Sequence, residues 1–257
     1  MALGWSMGVD VGASATKAVL LDAAGQVRAR ALRKSGADFS AAAQACLEEA
    51  TARAGISAAD IERVVATGYG RRSVSFATAA VTEITCHARG CYRSFPQAIT
   101  IVDIGGQDNK VIVVEDSGDR RSFKMNRKCA AGTGAFLEEI AGHLDTPLSA
   151  LNDLARQATG EVELGSFCTV FAKTELLGLI AAGTPLAEMA KAAYRSVVKR
   201  ILEMDPLAGQ VVMTGGVVAH NSIIVELMAD ALGHQILVPE HPQHTGALGA
   251  ALVARET

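Results

Sequence analysis

The chain has 257 residues, of which 49% are hydrophobic and 20% are charged, and its mean hydropathy is +0.24. This is enough for a large packed core in one or two domains. A net charge of −3 and an aromatic content of 4% argue against a protein that binds nucleic acids or anionic membrane surfaces. No apolar run is long enough to span a bilayer, and the first residues lack the basic region of a signal peptide. Because the five cysteines show no scaffold spacing, the sequence indicates a cytoplasmic protein with reduced thiols.

The first part of the chain predicts strand, glycine turn, two strands, helix and strand in that order. Short apolar runs and alternation predict a three-stranded meander over residues 7–32. A helix follows over residues 40–54 and ends at Gly55, and residues 61–67 form a strand. A loop over residues 68–71 then leads into another short helix.

The same order returns after Pro96, at the start of the second part of the chain. Its predicted strands cover residues 98–104, 110–114, 122–125, 210–214 and 235–238. Its predicted helices cover residues 133–143, 169–182, 185–202, 221–232 and 245–255. Thr184 is the expected N-cap of the long helix that begins at Pro185.

This repetition predicts an internally duplicated α/β protein. The expected halves are residues 1–95 and residues 96–257, with the closing helix of the second half packing back on the first. Because no linker rich in serine or proline separates the halves, we expect them to pack around a shared cleft.

Glycine turns join the first two predicted strands of each half. The first turn follows Asp10 and contains Gly12, Ala13, Ser14, Ala15, Thr16 and Lys17. The second turn follows Asp103 and contains Gly105, Gly106 and Gln107. Glycines let backbone N–H groups approach phosphates closely, and the hydroxyls and the lysine of the first turn add donors and positive charge. A carboxylate at each strand end is suited to hold Mg²⁺ through water.

A third glycine pair, Gly215-Gly216, follows the predicted strand over residues 210–214, and Gly132 and Gly134 complete the candidate nucleotide-binding set. One glycine turn alone is most simply a hairpin turn. Two matching turns in duplicated halves, with a further Gly-Gly pair in the right order, predict a nucleotide site. The site is not a Walker A loop, because no G-x-x-x-x-G-K-[ST] sequence occurs.

Two cysteines of the second half each precede a predicted helix, Cys129 and, thirty-nine residues later, Cys168. Unpaired N–H groups and the positive end of the helix dipole favour a thiolate at such a position. Taken singly, each is more simply a buried thiol. Together they make half of a four-thiolate metal site. Cys46, Cys86 and Cys91 lack a metal-ligand spacing and are interpreted as core or surface thiols.

The order of these motifs resembles the actin-like (ribonuclease H-like) ATPase superfamily. Within it, the chain is similar to one family, the ATP-dependent activators of 2-hydroxyacyl-CoA dehydratases and the ATPase subunits of benzoyl-CoA reductases. The motifs that carry this resemblance are Gly8-Val9-Asp10-Val11-Gly12, Ala66-Thr67-Gly68-Tyr69-Gly70-Arg71, Glu83-Ile84-Thr85-Cys86-His87-Ala88, Asp103-Ile104-Gly105-Gly106-Gln107-Asp108, Lys128-Cys129-Ala130-Ala131-Gly132-Thr133-Gly134, Cys168-Thr169-Val170-Phe171-Ala172, Val212-Met213-Thr214-Gly215-Gly216-Val217 and Gly246-Ala247-Leu248-Gly249-Ala250-Ala251.

The resemblance implies an α/β fold of two duplicated βββαβα halves around a nucleotide cleft, with Asp10 and Asp103 as the catalytic carboxylates for ATP and Mg²⁺. It also implies a homodimer that shares one [4Fe-4S] cluster, held by Cys129 and Cys168 of each subunit. In such a family, ATP hydrolysis drives an electron from ferredoxin or flavodoxin to an iron–sulfur dehydratase or reductase component. No nucleic acid and no membrane are expected as partners.

Two other functions remain open at the level of sequence. One is a small-molecule kinase of the same superfamily, in which Asp103 or Asp108 would act as the base and the two cysteines would have no purpose. The other is a nucleotide-binding scaffold without enzymatic activity. A bound iron–sulfur cluster would separate the first interpretation from both alternatives.

Overall fold

The computed structural model describes residues 4–126, 129–165 and 168–256. Its strands are β1 (Trp5–Val11), β2 (Ala15–Leu21), β3 (Val27–Lys34), β4 (Ile61–Thr67), β5 (Ala79–Ala80), β6 (Ile99–Ile104), β7 (Asn109–Val114), β8 (Arg120–Asn126) and β9 (Val211–Thr214). Its helices are α1 (Phe39–Ala54), α2 (Glu83–Ser94), α3 (Gly134–His143), α4 (Leu148–Ala155), α5 (Thr169–Ala181), α6 (Leu186–Met204), α7 (Gly216–His220), α8 (Ile223–Leu232) and α9 (Thr245–Glu256). Of the residues quoted for the resemblance, Lys128 lies outside the described residues.

The strands form two sheets with the same order of elements. The first sheet has the order β3-β2-β1-β4-β5, and the second has the order β8-β7-β6-β9. In the first sheet β1 pairs antiparallel with β2 and parallel with β4, and in the second β6 pairs parallel with β9. Each sheet therefore combines a meander of three consecutive strands with a fourth strand beside the first. This is the duplication that the sequence predicts.

The chain divides into two compact units, residues 1–99, 112–123 and 239–257 in the first and residues 100–111 and 124–238 in the second. In the first unit, alternate β1 residues such as Met7 and Val9 pack with residues of α1 such as Cys46 and Leu47. In the second unit, α3 contributes Phe136 and α6 contributes Tyr194 to one large apolar cluster. The predicted domain boundary after residue 95 stays a prediction.

Helix α9 packs against β1 and α2 in the first unit through glycines. A Cβ atom on Gly8 would lie 2.0 Å from the carbonyl oxygen of Ala247, and one on Gly249 would lie 1.7 Å from that of Cys86. Only glycine permits such an approach of two backbones. The last helix is therefore held at backbone distance from the first strand of the chain.

Several predicted elements differ from the structure. The predicted strand over residues 235–238 is wrong, because Leu237 makes only a single bridge to Val212, and the following Pro239 has no N–H for a ladder. Pro185, with its extended ψ of 141°, takes the N-cap position predicted for Thr184. The sequence analysis also missed α4, a two-turn helix.

The predicted helix over residues 221–232 also differs from the structure, which has two helices after β9. Helix α7 ends at His220, and α8 begins only at Ile223. The side chain of Asn221 donates a hydrogen bond to the carbonyl oxygen of Val217 at 2.8 Å, which closes the first helix locally. Within the part of the chain that the structure describes, no helix has the length and apolarity needed to cross a membrane.

Candidate functional site

The first glycine turn is a tight connection between β1 and β2. Asp10 lies opposite Lys17 in the strand register. The turn closes where the N–H of Gly12 donates to the carbonyl oxygen of Ala15 at 3.0 Å. Ala13 and Ser14 are exposed at the tip, where their backbone and the Ser14 hydroxyl can reach a ligand.

The Asp10 carboxylate lies at the end of β1 and is 5% exposed. Its Oδ2 is 3.4 Å from the Lys17 ammonium. A Cβ atom on Gly68, which follows the parallel strand β4, would lie 2.5 Å from Asp10 Oδ1. The positive φ of 86° at Gly68 also requires glycine. The carboxylate is therefore enclosed between a lysine and a bare backbone turn.

The second glycine turn repeats this geometry between β6 and β7. The N–H of Gly105 donates to the carbonyl oxygen of Asp108 at 2.9 Å. The buried ammonium of Lys110 lies 3.0 Å from Asp103 Oδ2 and 2.7 Å from Asp108 Oδ1. Gly106 and Gln107 form the tip, and Gln107 is exposed.

The equivalence of the two turns extends to residues that the sequence analysis did not assign. Lys110 follows Asp103 by the same seven positions that separate Lys17 from Asp10. Thr214 lies beside Asp103 in the β6–β9 register as Thr67 lies beside Asp10 in the β1–β4 register. The equal Asp-to-Lys spacing was the signal in the sequence that could have identified Lys110.

Further glycines of the predicted set lie around the second turn. A Cβ atom on Gly215, whose φ is 101°, would lie 2.7 Å from Asp103 Oδ1. A Cβ atom on Gly134 would lie 3.2 Å from Gly106 Cα. Gly216 follows Gly215 directly and begins α7. Asp103, Gly106, Gly134 and Gly215 are thus brought together in the second unit, as a close-packed glycine surface beside a carboxylate.

Hydrogen bonds tie the second turn to the segment that carries Cys129. The N–H groups of Gly134 and Ala135, the first two residues of α3, donate to the carbonyl oxygens of Gly105 at 2.9 Å and Gly106 at 2.8 Å. The buried Asn109 donates through Nδ2 to the carbonyl oxygen of Gly132 at 3.0 Å. A displacement of the turn must therefore move the start of α3 and the segment before it.

The two candidate ligand cysteines differ in their relation to a helix. Cys168 is the N-cap residue of α5, and no side chain caps this helix end. Cys129 is exposed but lies four residues before Thr133, the N-cap of α3. The prediction that α3 presents free N–H groups to Cys129 is wrong, because its first two N–H groups are bonded to the second turn.

The other cysteines are core residues. Cys46, Cys86 and Cys91 are all buried. Burial raises the pKa of the Cys86 thiol to about 12 and that of the Cys46 thiol to about 11, so both remain neutral at physiological pH. Among the described residues, no group of three or more histidine, cysteine or acidic side chains is arranged to hold a metal ion.

Charge around Lys17 also acts on a histidine of the first unit. Burial, together with the nearby positive charges of Arg30 and Lys17, lowers the pKa of His244 to about 4. The imidazole is therefore neutral at pH 7. It adds no positive charge to the surroundings of the first turn.

Ser35, which directly follows β3, stabilises the first turn by hydrogen bonds to its backbone. Its Oγ donates to the carbonyl oxygen of Gly12 at 2.6 Å, and its N–H donates to that of Ser14 at 3.1 Å. Its Oγ also lies 2.9 Å from Thr16 Oγ1. Because Ser35 uses its hydroxyl hydrogen on Gly12, Thr16 must donate to Ser35. The fully buried Thr16 hydroxyl thus acts within the turn and has no hydrogen left for a phosphate.

Residues 7–254 match the family model described as the BadF/BadG/BcrA/BcrD ATPase family. The chain belongs to this family. It is 42% identical over 255 residues to the activator of lactoyl-CoA dehydratase from Anaerotignum propionicum, with 98% of each chain covered.

Solved structures agree with this membership. The activator of the 2-hydroxyisocaproyl-CoA dehydratase from Clostridium difficile, a structure with bound ADPNP, matches with a TM-score of 0.91 and 38% identity over 98% of this chain and 94% of that one. A ROK family glucokinase from Streptomyces griseus matches with a TM-score of 0.62 at 14% identity, over 99% of this chain and 100% of the other, and shares the fold alone. The predicted actin-like α/β fold is thereby confirmed, and this member of the family is an ATP-binding ATPase.

In this ATPase, Ser35→Ala is expected to weaken ATP binding by about tenfold, because one or two buried hydrogen bonds contribute roughly 1–2 kcal/mol. The substitution leaves the carbonyl of Gly12 and the hydroxyl of Thr16 without their common partner. Calorimetric titration with ATP measures the effect. Ser40→Ala, at an exposed position of α1, is the matched control and should bind ATP as the parent protein does. Unchanged affinity in folded Ser35→Ala would contradict the role of Ser35.

Proposed function

We propose that this ATPase couples ATP hydrolysis to electron transfer, and that two copies of the chain share one [4Fe-4S] cluster. The observation that carries the proposal is the pair of accessible thiols in the second unit. Cys129 is exposed and Cys168 is half-buried, whereas the remaining three cysteines are core residues. The segment that follows Cys129 is bonded directly to a glycine turn of the nucleotide site.

The residues of the two glycine turns fit ATP and Mg²⁺. The turns offer backbone N–H groups, while the Lys17 and Lys110 ammonium groups lie beside Asp10 and Asp103. Bound Mg²⁺ would neutralise phosphate charge during hydrolysis. We propose that Asp10 and Asp103 orient water around the phosphates, and that Lys17, Gly12, Gly105 and the other predicted turn residues except Thr16 position the phosphates themselves.

The chemistry of the two accessible thiols fits an iron–sulfur cluster. Soft thiolate ligands select iron–sulfur clusters, and a [4Fe-4S] cluster takes four cysteines. One chain offers two accessible cysteines, so a two-fold symmetric pair of chains completes the set. The start of α5 has no side-chain cap, so the positive end of its dipole lies at Cys168, where it would stabilise an anionic cluster.

Helix α5 supplies a surface for the second copy. Directly after Cys168, Val170 is 71% exposed and Phe171 is 66% exposed, and Leu177 and Ile180 further along the helix are also exposed. Val170, Leu177 and Ile180 recur at seven and three positions, which places them on one helical face. Exposed large apolar side chains grouped in this way favour a protein interface. A homodimer that buries α5 would also enclose Cys168.

When bound, the cluster would supply one-electron chemistry, with ferredoxin or flavodoxin as the donor and an iron–sulfur dehydratase or reductase component as the acceptor. The relatives named as dehydratase activators support this choice of partner. The protein's own contribution is to hold two thiolates, to bind ATP, and to transmit the state of the second turn through Asn109 and α3 to the segment of Cys129.

Anaerobic purification tests this function. We expect a brown dimer with about four iron atoms per two chains, as one [4Fe-4S] cluster requires. After reduction, the protein should transfer electrons to an iron–sulfur dehydratase component only when ATP is hydrolysed. A colourless protein that phosphorylates a small molecule would instead identify a kinase. A colourless protein that binds ATP without hydrolysis would identify a scaffold.

A further inference from the structure

A histidine on α2 lies beside the catalytic carboxylate of the first unit. His87 is 6% exposed, and Asp10 is 5% exposed. A Cβ atom built on Gly246 would lie 3.0 Å from His87 Nε2 and 3.1 Å from Asp10 Oδ2. The ring nitrogen and the carboxylate oxygen therefore both lie close to the backbone of Gly246, and neither leaves room for a methyl group there.

Glycines create this meeting of β1, α2 and α9. A Cβ atom on Gly90 of α2 would lie 2.1 Å from the carbonyl oxygen of Thr245. One on Gly249 of α9 would lie 1.7 Å from the carbonyl oxygen of Cys86, the neighbour of His87. Side chains at these positions would separate the two helices. Because the helices touch through their backbones, the ring of His87 reaches the level of the Asp10 carboxylate.

The groups around the Asp10 carboxylate indicate the role of His87. Asp10 Oδ1 faces the backbone of Gly68, while Oδ2 lies near Lys17 Nζ and, like His87 Nε2, close to the backbone of Gly246. Lys17 is on a strand beside an exposed turn, at a long distance of 3.4 Å. His87 is a buried residue of helix α2 and has a shorter, stiffer side chain. A carboxylate that must orient water is more precise when a rigid polar group fixes it.

We propose that His87 is a positioning residue for ATP hydrolysis, acting through the orientation of the Asp10 carboxylate. The inference rests on the proposed role of Asp10. His87 sets the rotation of the carboxylate and does not contact the nucleotide. Its loss should therefore lower kcat and leave nucleotide affinity nearly unchanged.

The test compares His87→Leu, His87→Gln and Gly246→Ala. We expect kcat for ATP hydrolysis to fall by about tenfold to 10²-fold in His87→Leu, the range that misplacement of a catalytic group costs. His87→Gln places an amide N–H at similar reach and should recover a large part of the rate. Gly246→Ala forces a methyl group against both His87 Nε2 and Asp10 Oδ2 and should also lower kcat. The dissociation constant of a fluorescent ATP analogue should change by less than about threefold in each, since binding groups are intact.

A double-mutant cycle with Asp10→Asn separates positioning from a purely structural role. If His87 acts through Asp10, His87→Leu should add almost nothing to the rate already lost in Asp10→Asn. His234→Leu, at an exposed position outside the site, is the control and should hydrolyse ATP as the parent does. Additive losses, an unchanged rate in His87→Leu and Gly246→Ala, or equal losses in His87→Gln and His87→Leu would overturn the proposal.

The same cycle distinguishes this inference from the proposed function. Full ATPase activity in Asp10→Asn would remove Asp10 from the mechanism and the role of His87 with it. A large loss in Asp10→Asn together with normal rates in both His87 variants would leave the function of Asp10 standing and refute the role of His87. If His87→Leu does not fold, His87→Asn, whose side chain is shorter than that of histidine, replaces it in the comparison with His87→Gln and in the cycle with Asp10→Asn.

Discussion

Replacing Asp103 with asparagine is expected to lower the rate of ATP hydrolysis by about 10²-fold or more, the contribution usual for groups that position a metal or a reacting water. The carboxylate lies at the end of β6 beside the second glycine turn, and Asn preserves its shape but removes its charge. The same loss is expected for Asp10→Asn, because Asp10 holds the equivalent position before the first turn. Steady-state phosphate release measures both rates.

The control for Asp103→Asn must separate catalysis from the loss of a buried ion pair. Lys110 bonds both Asp103 and Asp108, so Asp108→Asn removes a charge from the same lysine without touching the strand end. We expect Asp108→Asn to lose less than about tenfold, as a change in phosphate positioning alone allows. Equal rates in Asp103→Asn and the parent protein would exclude Asp103 from catalysis. Equal losses in both variants would assign the effect to Lys110.

Replacing either Cys129 or Cys168 with serine is expected to reduce bound iron to less than about a tenth of the parent content. Loss of an outer-shell partner alone costs roughly 10–100-fold in metal affinity, and these substitutions remove a ligand itself. Because each chain would supply two of the four thiolates, one substitution removes two ligands from the dimer. Iron analysis and visible absorbance after anaerobic purification measure the loss.

Cys91→Ala is the matched control for these serine variants, since Cys91 is buried in α2 and is not a candidate ligand. The Cys91→Ala variant should keep the iron content of the parent protein. The serine variants should still bind ATP, because the two glycine turns are intact. A full iron content in Cys129→Ser or Cys168→Ser would remove that cysteine from the cluster site.

The duplicated strands could be predicted from the sequence because each carries its own local signal. β1 and β6 are short apolar runs that end in Asp-x-Gly, and β4 was predicted with the same bounds that the structure has. The end of α1 was predicted from Gly55, whose φ of 69° only glycine adopts readily. Local rules were sufficient wherever one residue type decides the backbone conformation.

The contacts that support the site depend on residues distant in sequence. Ser35 reaches the first turn because β3 pairs with β2, and His87 reaches Asp10 because α2 and α9 touch through glycines. Asn109 finds its acceptor at Gly132 only after the second turn and α3 have docked. These side chains carry no local motif, so periodicity and turn signals could not assign them. The error at Cys129 has the same origin, because the partners of the first N–H groups of α3 lie nearly thirty residues earlier.

The link between the second turn and Cys129 gives the proposed coupling a physical path. ATP and ADP can alter the cluster site only through a difference in their affinity for two conformations. The γ-phosphate is the chemical difference between them, and the glycine turns are the proposed phosphate-binding elements. Asn109→Ala removes the bond to Gly132 and should reduce any effect of nucleotide on the cluster.

The most direct measurement of this coupling is the rate at which a chelator removes iron from the anaerobic protein without nucleotide, with ADP and with a non-hydrolysable ATP analogue. We expect iron loss to be fastest with the ATP analogue, and the difference from ADP to shrink in Asn109→Ala. Nucleotide binding must be verified separately for each ligand. Equal rates of iron loss in all three states of the parent protein, with both nucleotides bound, would contradict the coupling of ATP to the cluster.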